Sequence, residues 1–368
     1  MERLKCLDGL RGALAVYVMA SHMAPFALLP WWLKSPLSHG GAAVDVFFIL
    51  SGLVIVRSLE GFDYRARPFL IARLARIFPV FLAMFALAVA VQPIPAGFHH
   101  MPWIPAGSPA RAIWSEGWPH AWEAEIAAHL TMTHGLIPNG VLPDAWVSFL
   151  GAAWSLSTEW QFYLLALLAG RRFGGAVWPL LALAVAGAVW TATLPEAWQF
   201  SRAFLPNKAG YFVLGVASAE LVRGSTVMIG RYAAVLFGVL VLCWWQGGTD
   251  KLLPPLVWTL CLAAELRPAW LGLALLSGFL RARPMQWLGA LSYCLYLANE
   301  PIQKVFGTGL AAAVQGDGWL FTALWLPGAI GLPLLAAMAL RRWIEVPALR
   351  WARGKPVHLA AERLYRGQ

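Results

Sequence analysis

Residues 7–29, LDGLRGALAVYVMASHMAPFALL, form the first apolar stretch of the chain and decide its architecture. About 20 apolar residues suffice to cross a bilayer as a helix. The stretch also contains Arg11 and His22. A helix turns about 100° per residue, so eleven steps bring these two side chains to one face, about 16 Å apart along the axis. Ionisable groups inside a span are costly, which makes both residues candidates for function.

The composition of the whole chain is also that of a membrane protein. Hydrophobic residues make up 60% of the 368 residues and charged residues only 12%, and the mean hydropathy is +0.63. A soluble domain carries nearer a quarter charged residues. The net charge of +10 is therefore interpreted as basic cytoplasmic loops, and no nucleic-acid partner is predicted.

Hydropathy predicts an all-α, polytopic transmembrane bundle with about ten spans. The predicted spans are 8–29, 42–59, 69–91, 153–170, 175–194, 208–222, 228–246, 254–280, 286–306 and 319–340. The eighth span carries Glu265, Arg267 and Pro268 near its middle. A broken span and two short segments are therefore both open at that position.

An even number of spans puts both termini on one side, and the distribution of basic residues selects the side. The terminal side would carry 21 of the 28 basic residues, and cytoplasmic loops are enriched in such residues. The other seven are Lys34, Arg111, Arg202, Lys208, Lys251, Arg267 and Lys304. Both termini are therefore predicted to be cytoplasmic. The chain divides into a membrane domain, 1–342, and a basic cytoplasmic tail, 343–368.

The longest predicted outer segment, about 92–152, is rich in Trp and Pro and holds five of the eight histidines. Its aromatic residues are Trp103, Trp114, Trp118 and Trp122, among Pro93, Pro95, Pro102, Pro105, Pro109 and Pro119. Both an interfacial aromatic belt and a platform for sugar rings fit this composition. His99 and His100 lack further ligands at helical spacing, and the four cysteines do not pair by spacing. We therefore predict free thiols and no metal site.

Polar side chains recur inside the predicted spans. They are Asp45 in span two, Arg73 and Arg76 in span three, Ser155, Glu159 and Tyr163 in span four, and Ser292, Tyr296, Asn299, Glu300 and Gln303 in span nine. Three- and four-residue spacings put such residues on one helix face. These stripes are expected to face the bundle interior, because lipid would leave them without hydrogen-bond partners.

Position along the spans separates the charged groups by sign. Cations lie near the predicted cytoplasmic ends, and the histidine and carboxylates lie nearer the outer ends: Arg11, Arg73 and Arg76 against His22, Asp45 and Glu159. Arginine clusters bind phosphate or carboxylate, and a histidine beside carboxylates can act as a general base. Each residue alone also has a structural interpretation, as a lipid anchor, an ion pair or a core imidazole. The combination favours function.

Five sequence blocks stand in order along nearly the whole chain: LDGLRG at 7–12 with His22, GAAVDVFFILSG at 41–52, RLARIFP at 73–79, WSLSTEWQFY at 154–163, and LGALSYCLYL at 288–297 followed by EVP at 345–347. Together they resemble the acyltransferase-3 integral membrane acyltransferases, which O-acylate bacterial surface and exported carbohydrates. Any one block is a weak signal, whereas five in order are a strong one.

The resemblance implies that Arg11 and His22 are essential and that Arg73 and Arg76 help bind the acyl donor, acetyl-CoA. It implies a multi-pass protein of the bacterial cytoplasmic (inner) membrane. Two positions depart from the family pattern: Trp160 stands where a second carboxylate is common, and Asn299 where a histidine is common. We therefore assign Asn299 no catalytic role at this stage. No fused esterase-like domain follows, so the protein is expected to act alone or with separate polysaccharide-assembly partners.

Three functions remain open from the sequence. The first is an O-acyltransferase that moves an acetyl group from cytoplasmic acyl-CoA to a glycan or lipid-linked sugar, with His22 as general base, Arg11 holding the donor, and Asp45 or Glu159 orienting the imidazole or pairing with an arginine. The second is a transporter of an acylated or anionic metabolite. The third is a sugar-binding or assembly scaffold that uses the tryptophan-rich segment.

Overall fold

The computed structural model describes residues 4–224 and 226–354, which contain helices and no β-strand. The α-helices in this part of the chain are α1 (Lys5–Met23), α2 (Trp31–Leu37), α3 (Gly40–Gly61), α4 (Ala66–Val91), α5 (Ala110–Ile113), α6 (Trp122–Leu130), α7 (Ala153–Ala169), α8 (Val177–Thr193), α9 (Ala209–Val222), α10 (Thr226–Gly247), α11 (Leu253–Leu266), α12 (Ala274–Arg281), α13 (Arg283–Val314), α14 (Gly318–Leu340) and α15 (Val346–Gly354). A π-helical turn, Arg341–Glu345, joins α14 to α15.

Helices occupy all ten segments for which the sequence predicts spans. Within residues 4–224 and 226–354, four helical stretches are long and apolar enough to cross a membrane: Trp31–Gly61, Ala66–Val91, Met228–Gly247 and Gly318–Ala352. Val177–Thr193 and Ala209–Val222 are apolar but shorter. The all-helical class with membrane-spanning helices is thus confirmed. The count of ten spans and the side of the termini stay predictions.

The eighth predicted span is divided into two helices, α11 and α12. The Glu265 carboxylate, at the end of α11, accepts hydrogen bonds from the backbone N–H of Cys6 and from Arg281. Arg267 follows directly and therefore lies at the end of the bundle where α1 begins. The sequence-based grouping of Arg267 with the outer cations was wrong, because α11 ends at Leu266 and leaves Glu265 and Arg267 together at that helix end.

Glycines bring four central helices into close contact. A Cβ atom on Gly12 would lie 2.6 Å from the backbone nitrogen of Gly289, so α1 packs directly on the backbone of α13. A Cβ atom on Gly215 would lie 1.9 Å from the Ile49 carbonyl oxygen, which places α9 equally close to α3. Small residues allow membrane helices to approach in this way.

Contacts at both ends of each pair give the helix directions. Asp8 meets Gly289 and Met19 meets Gln303, so α1 runs parallel to α13. Asp45 pairs with Lys208 and Glu60 with Arg223, so α3 runs parallel to α9.

Part of the predicted tail is folded onto the bundle. Helix α15 packs against α4, and Glu345 is buried and forms an ion pair with Arg76. The predicted boundary at residue 342 therefore does not coincide with the end of the packed helices. Residues 355–368 of that tail lie outside the described residues.

The segment 92–152 covers the end of the bundle where α1 ends. Trp114 is fully buried and stacks on Phe26, with ring centroids 3.7 Å apart, and it also meets Trp325 edge to face. Trp118 and Trp122 are 45% and 40% exposed. The tryptophans of this segment thus divide between an apolar core and the surface.

Candidate active site

Two cavities lie in series between α1, α3, α7 and α13. The cavity at the end where α1 begins, hereafter the inner cavity, has a volume of about 440 Å³. The cavity at the end where α1 ends, hereafter the outer cavity, has a volume of about 460 Å³. Val44 and Tyr296 line both. The Tyr296 hydroxyl donates to the Ala152 carbonyl oxygen or to Ser155 Oγ, so α7 holds this ring between the two cavities.

Arginines dominate the inner cavity. Arg11, Arg57, Arg73, Arg76 and Arg341 line it. The carboxylates among its described lining residues are Asp8, Glu159 and Glu345, which leaves a net of two positive charges. Neither Arg57 nor Arg341 was predicted from the sequence to be a site residue. Both stand at helix ends, where a basic residue is an ordinary feature of a membrane protein.

Arg73 and Arg76 point into this cavity, as their i,i+3 spacing predicts. Arg73 is buried, donates to Ser58 Oγ over 2.9 Å, and lies above the Tyr163 ring. Arg76 pairs with Glu345 and has its guanidinium carbon 5.1 Å from the centroid of the Tyr293 ring. Both guanidinium groups are therefore held in place by other side chains. Such preorganisation lowers the entropic cost of binding an anion.

Glu159 belongs to the inner cavity and not to the side that holds His22. Its Oε2 accepts a 2.6 Å hydrogen bond from the Tyr163 hydroxyl, and it interacts electrostatically with Arg11, Arg73 and Arg76. The expectation that Glu159 lies with the histidine was wrong. The polar face of α7 is directed toward the arginines, and their positive charges stabilise the buried carboxylate.

Arg11 also lines the inner cavity, on the same helix as His22. It interacts electrostatically with Glu159. Within the part of the chain that the structure describes, Arg11 makes no hydrogen bond and no ion pair. Its guanidinium donors are therefore available to a ligand in the cavity.

His22 lies in the outer cavity, with Nδ1 2.7 Å from Oδ1 of Asn299. Asn299 is fully buried, and its Nδ2 donates to the carbonyl oxygens of Leu295 and Tyr296 over 3.2 and 2.6 Å. Carbonyl oxygens only accept, so they fix the orientation of the amide and leave its oxygen facing the imidazole. His22 Nδ1 must then be the donor. In the neutral ring, Nε2 consequently carries the free lone pair.

Sequence reasoning missed this role of Asn299. The polar stripe on α13 was visible, but the pairing joins residues 277 positions apart in the chain. It depends on the parallel packing of α1 on α13. No local spacing encodes that contact.

Asp45 pairs with Lys208, with Oδ1 and Nζ 2.6 Å apart. The ammonium group lies over the rings of Trp154 and Tyr211. Asp45 therefore neutralises the lysine that directly precedes α9. Of the two roles that the sequence left open for Asp45 and Glu159, orienting the imidazole falls to Asn299 in this structure.

The rest of the outer cavity is aromatic and polar. Its further lining includes Ser21, Lys34, Ser38, Trp146, Trp154, Arg202 and Glu300. Of the ten Trp and Pro residues singled out between 93 and 122, only Pro109 is among the described lining residues. If rings stack on an acceptor here, Trp146 and Trp154 are the candidates.

Two histidines of the covering segment are buried together. The rings of His129 and His134 are parallel, with centroids 4.1 Å apart. His129 Nδ1 bonds the Glu125 carbonyl oxygen, and His134 Nε2 bonds that of Ala153, the first residue of α7. Burial, together with the neighbouring His134, lowers the pKa of His129 to about 3, and burial lowers the pKa of His134 to about 4. Both imidazoles are neutral at pH 7 and serve the packing of this segment on α7.

Comparison with known proteins shows similarity to acyltransferases along almost the full length of the chain. The sequence profile of the acyltransferase domain matches residues 4–342. The acyltransferase MdmB of Streptomyces mycarofaciens is 26% identical over 405 aligned positions, which cover 98% of this chain and 95% of that protein. Protein 2 of the picA locus of Rhizobium radiobacter is 34% identical over 93 positions, 24% of this chain and 46% of that protein. No solved structure matches the chain.

Proposed function

The chain belongs to the acyltransferase-3 family, and from this premise we propose that it is an O-acyltransferase that moves an acetyl group from cytoplasmic acetyl-CoA to a carbohydrate hydroxyl at the outer face. One observation carries the proposal. Arg11 and His22 share a helix, yet Arg11 lines a cationic cavity at one end and His22 lines an aromatic cavity at the other. A donor and an acceptor that arrive from opposite sides require such an arrangement.

We further propose that both termini are cytoplasmic and that the protein resides in the bacterial inner membrane. Helices at ten segments and the parallel pairs α1–α13 and α3–α9 support alternating crossings, because first and ninth spans, or second and sixth, then run the same way. The cationic cavity would then open toward the cytoplasm, where acyl-CoA is made. The membrane domain, about 1–342, would contain most of the site, and Glu345 just beyond it would complete the lining of the inner cavity.

The inner cavity fits the anionic end of the donor. Arg11, Arg73 and Arg76, together with Arg57 and Arg341, would hold its phosphates through charge-assisted hydrogen bonds. The acyl-bearing arm is slender, so it would reach the outer cavity past Tyr296 and Val44. Glu159 would offset part of the arginine charge when no donor is bound.

The chemistry would take place at His22. Its Nε2 accepts the proton of the acceptor hydroxyl while the oxygen attacks the thioester carbonyl; the carbon–oxygen bond forms, the carbon–sulfur bond breaks, and the proton passes from the imidazole to the leaving thiolate. Asn299 holds the opposite nitrogen as a donor throughout. General-base catalysis contributes about 10²- to 10⁴-fold in rate. Positioning of the two substrates supplies much of the rest.

A transporter of an anionic or acylated metabolite is the second candidate, because two cavities in series on either side of Tyr296 also suit alternating access. Counterflow of labelled substrate in liposomes without consumption of acyl-CoA would favour it. Consumption of acyl-CoA together with the appearance of a new acyl mass on a glycan would favour the transferase.

The test uses membranes that carry His22→Ala, Arg11→Ala or, as control, Ser21→Ala at equal protein levels. Ser21 lines the outer cavity, but its hydroxyl is bonded to the Val18 carbonyl oxygen. Mass spectrometry of surface glycans and lipid-linked sugars measures the acyl mass. We expect a loss of about 10²-fold or more for His22→Ala, a comparable loss for Arg11→Ala, and near wild-type transfer for Ser21→Ala. Wild-type transfer by both His22→Ala and Arg11→Ala would refute the mechanism.

A further inference from the structure

Most basic side chains at the outer end of the bundle are bonded to the protein itself. Their partners are a carboxylate or backbone carbonyl oxygens: Lys208 with Asp45, Lys304 with Ser115, Lys251 with Gln246, and Arg111 with Ile104 and Pro105. Lys34 and Arg202 differ, because neither pairs with a carboxylate or carbonyl among residues 4–224 and 226–354. Both line the outer cavity.

Arg202 is exposed and fixed by aromatic rings. Its guanidinium carbon lies 4.9 Å from the Trp146 ring centroid and 5.7 Å from that of Trp154. Stacking of this kind covers the flat faces of a guanidinium and leaves its N–H edge open. That edge matches the two oxygens of a phosphate or a carboxylate. Arg202 is thus a preorganised donor for an anion at the mouth of the cavity.

The carboxylate of this cavity does not neutralise the two cations. The Glu300 carboxylate lies against the backbone at Gly151 and interacts electrostatically with Lys304. Its oxygens lie so close to Gly151 that a Cβ atom there would be 2.6 Å from one of them. Glu300 therefore lies against the residues that precede α7 and does not pair with Lys34 or Arg202. Within the described lining, the positive charges of these two residues have no carboxylate partner.

We propose that the outer cavity binds an acceptor that carries an anionic group, a phosphate or a carboxylate, which Arg202 and Lys34 hold while the acceptor hydroxyl meets His22. This inference rests on the proposed function for the word acceptor, whereas anion binding itself does not require transfer. The anionic group can belong to the sugar, as in a sugar phosphate or a uronic acid, or to the phosphate of a lipid headgroup. Trp146 and Trp154 would stack on the neighbouring ring or chain.

Binding is measured on the purified full chain in a neutral detergent. Glucose, glucuronic acid and glucose 1-phosphate are titrated, and the ligand dependence of the unfolding midpoint gives each dissociation constant. We expect both anionic sugars to bind about tenfold more tightly than glucose, since one charge-assisted bidentate contact supplies about that factor. Arg202→Gln should abolish the preference and Lys34→Gln should reduce it. Lys251→Gln, which removes a cation of the same face outside the cavity lining, should keep it.

A second arm identifies the source of the anion. The glucose 1-phosphate titration is repeated in nanodiscs of phosphatidylcholine with and without phosphatidylglycerol. If phosphatidylglycerol displaces the sugar phosphate from the wild type, the headgroup is the ligand; if it does not, the charge belongs to the sugar. Equal affinity for glucose and both anionic sugars, or an unchanged preference in Arg202→Gln, overturns the inference.

His22→Ala separates this inference from the proposed function. The variant should keep the preference for anionic sugars while losing transfer. Retained transfer in His22→Ala would refute the general-base mechanism and leave the binding result standing. A third outcome is that Arg202→Gln loses the preference for anionic sugars but still transfers the acyl group fully to an uncharged glycan. That result would refute the anionic acceptor and leave anion binding at Arg202 standing.

Discussion

The inner and outer cavities have nearly equal volumes and share Val44 and Tyr296, but their charged groups differ in kind. The described lining of the inner cavity includes five arginines and three carboxylates, with Arg76 paired with Glu345 and Glu159 accepting a hydrogen bond from Tyr163. The outer cavity has one histidine in a fixed tautomer, two cations and one carboxylate. Volume therefore does not assign the roles of the two cavities. Charge distinguishes them, and under the proposed function the inner cavity would bind an anion and the outer cavity would transfer a proton.

Separation of the two kinds of group has a physical advantage. A general base acquires a positive charge when it takes a proton, and a guanidinium nearby opposes that change. With Arg11 about 16 Å from His22 along α1, the arginines would attract the proposed anionic donor without opposing the protonation of the imidazole. Asn299 supports His22 without adding charge, because a neutral amide fixes the tautomer by hydrogen bonding alone.

Replacement of Asn299 tests whether its hydrogen bond to His22 supports catalysis in the outer cavity. In Asn299→Ala the imidazole loses the acceptor for Nδ1–H, so it can rotate and adopt either tautomer. We expect kcat to fall about 10- to 100-fold, the loss typical of a misplaced catalytic group, with little change in KM for acetyl-CoA. Steady-state kinetics of the purified enzyme measure both values.

Gln303→Ala is the matched control for Asn299→Ala. Gln303 is buried one turn further along α13 and donates to backbone oxygens of Met19 and Ala329. Its loss should affect stability more than kcat. An equal fall in kcat for both variants would assign Asn299 a packing role only.

Removal of Arg76 tests the other cavity. Arg76→Gln should raise KM for acetyl-CoA about tenfold, the effect of one charge-assisted hydrogen bond, and should leave acceptor affinity unchanged. Arg65→Gln, which removes an exposed arginine near the same end, is the control. A change confined to acceptor affinity would contradict the assignment of the donor to the inner cavity.

Acid should destabilise the outer side of the protein through its two buried histidines. His129 and His134 have pKa values lowered to about 3 and 4, from about 6.5 when exposed. Between these limits the unfolded chain binds protons that the folded protein does not. The stabilisation is therefore complete above about pH 6.5 and is lost as the pH falls toward 4, by about 1.4 kcal/mol per pH unit for each imidazole.

The unfolding midpoint as a function of pH tests this expectation. His129→Phe keeps a ring against Phe85 and His134, and it should flatten the dependence between pH 6.5 and 4. His120→Phe, which replaces an exposed histidine of the same segment, should leave the slope unchanged. An unaltered slope in His129→Phe would show that other groups control the acid response.

The sequence was informative wherever one helix carries the signal. Long apolar stretches predict the helices, and eleven- and three-residue spacings place Arg11 with His22 and Arg73 with Arg76. The five sequence blocks lead to the family, and its profile matches residues 4–342. Sequence reasoning failed where contacts between helices determine the surroundings of a residue. Glu159 lies with the arginines, Arg267 lies at the end where α1 begins, and Arg57 and Arg341 were missed.

By itself, then, the sequence determined an all-helical membrane acyltransferase and the helix face on which its charged residues lie, because hydropathy and helical period are local properties. Only the tertiary structure decided which group meets which. It divided the interior into two cavities, paired Asp45 with Lys208, and gave His22 its partner Asn299. Those contacts depend on how close glycine-rich helices approach and in which register they pack, and that depends on the whole bundle at once.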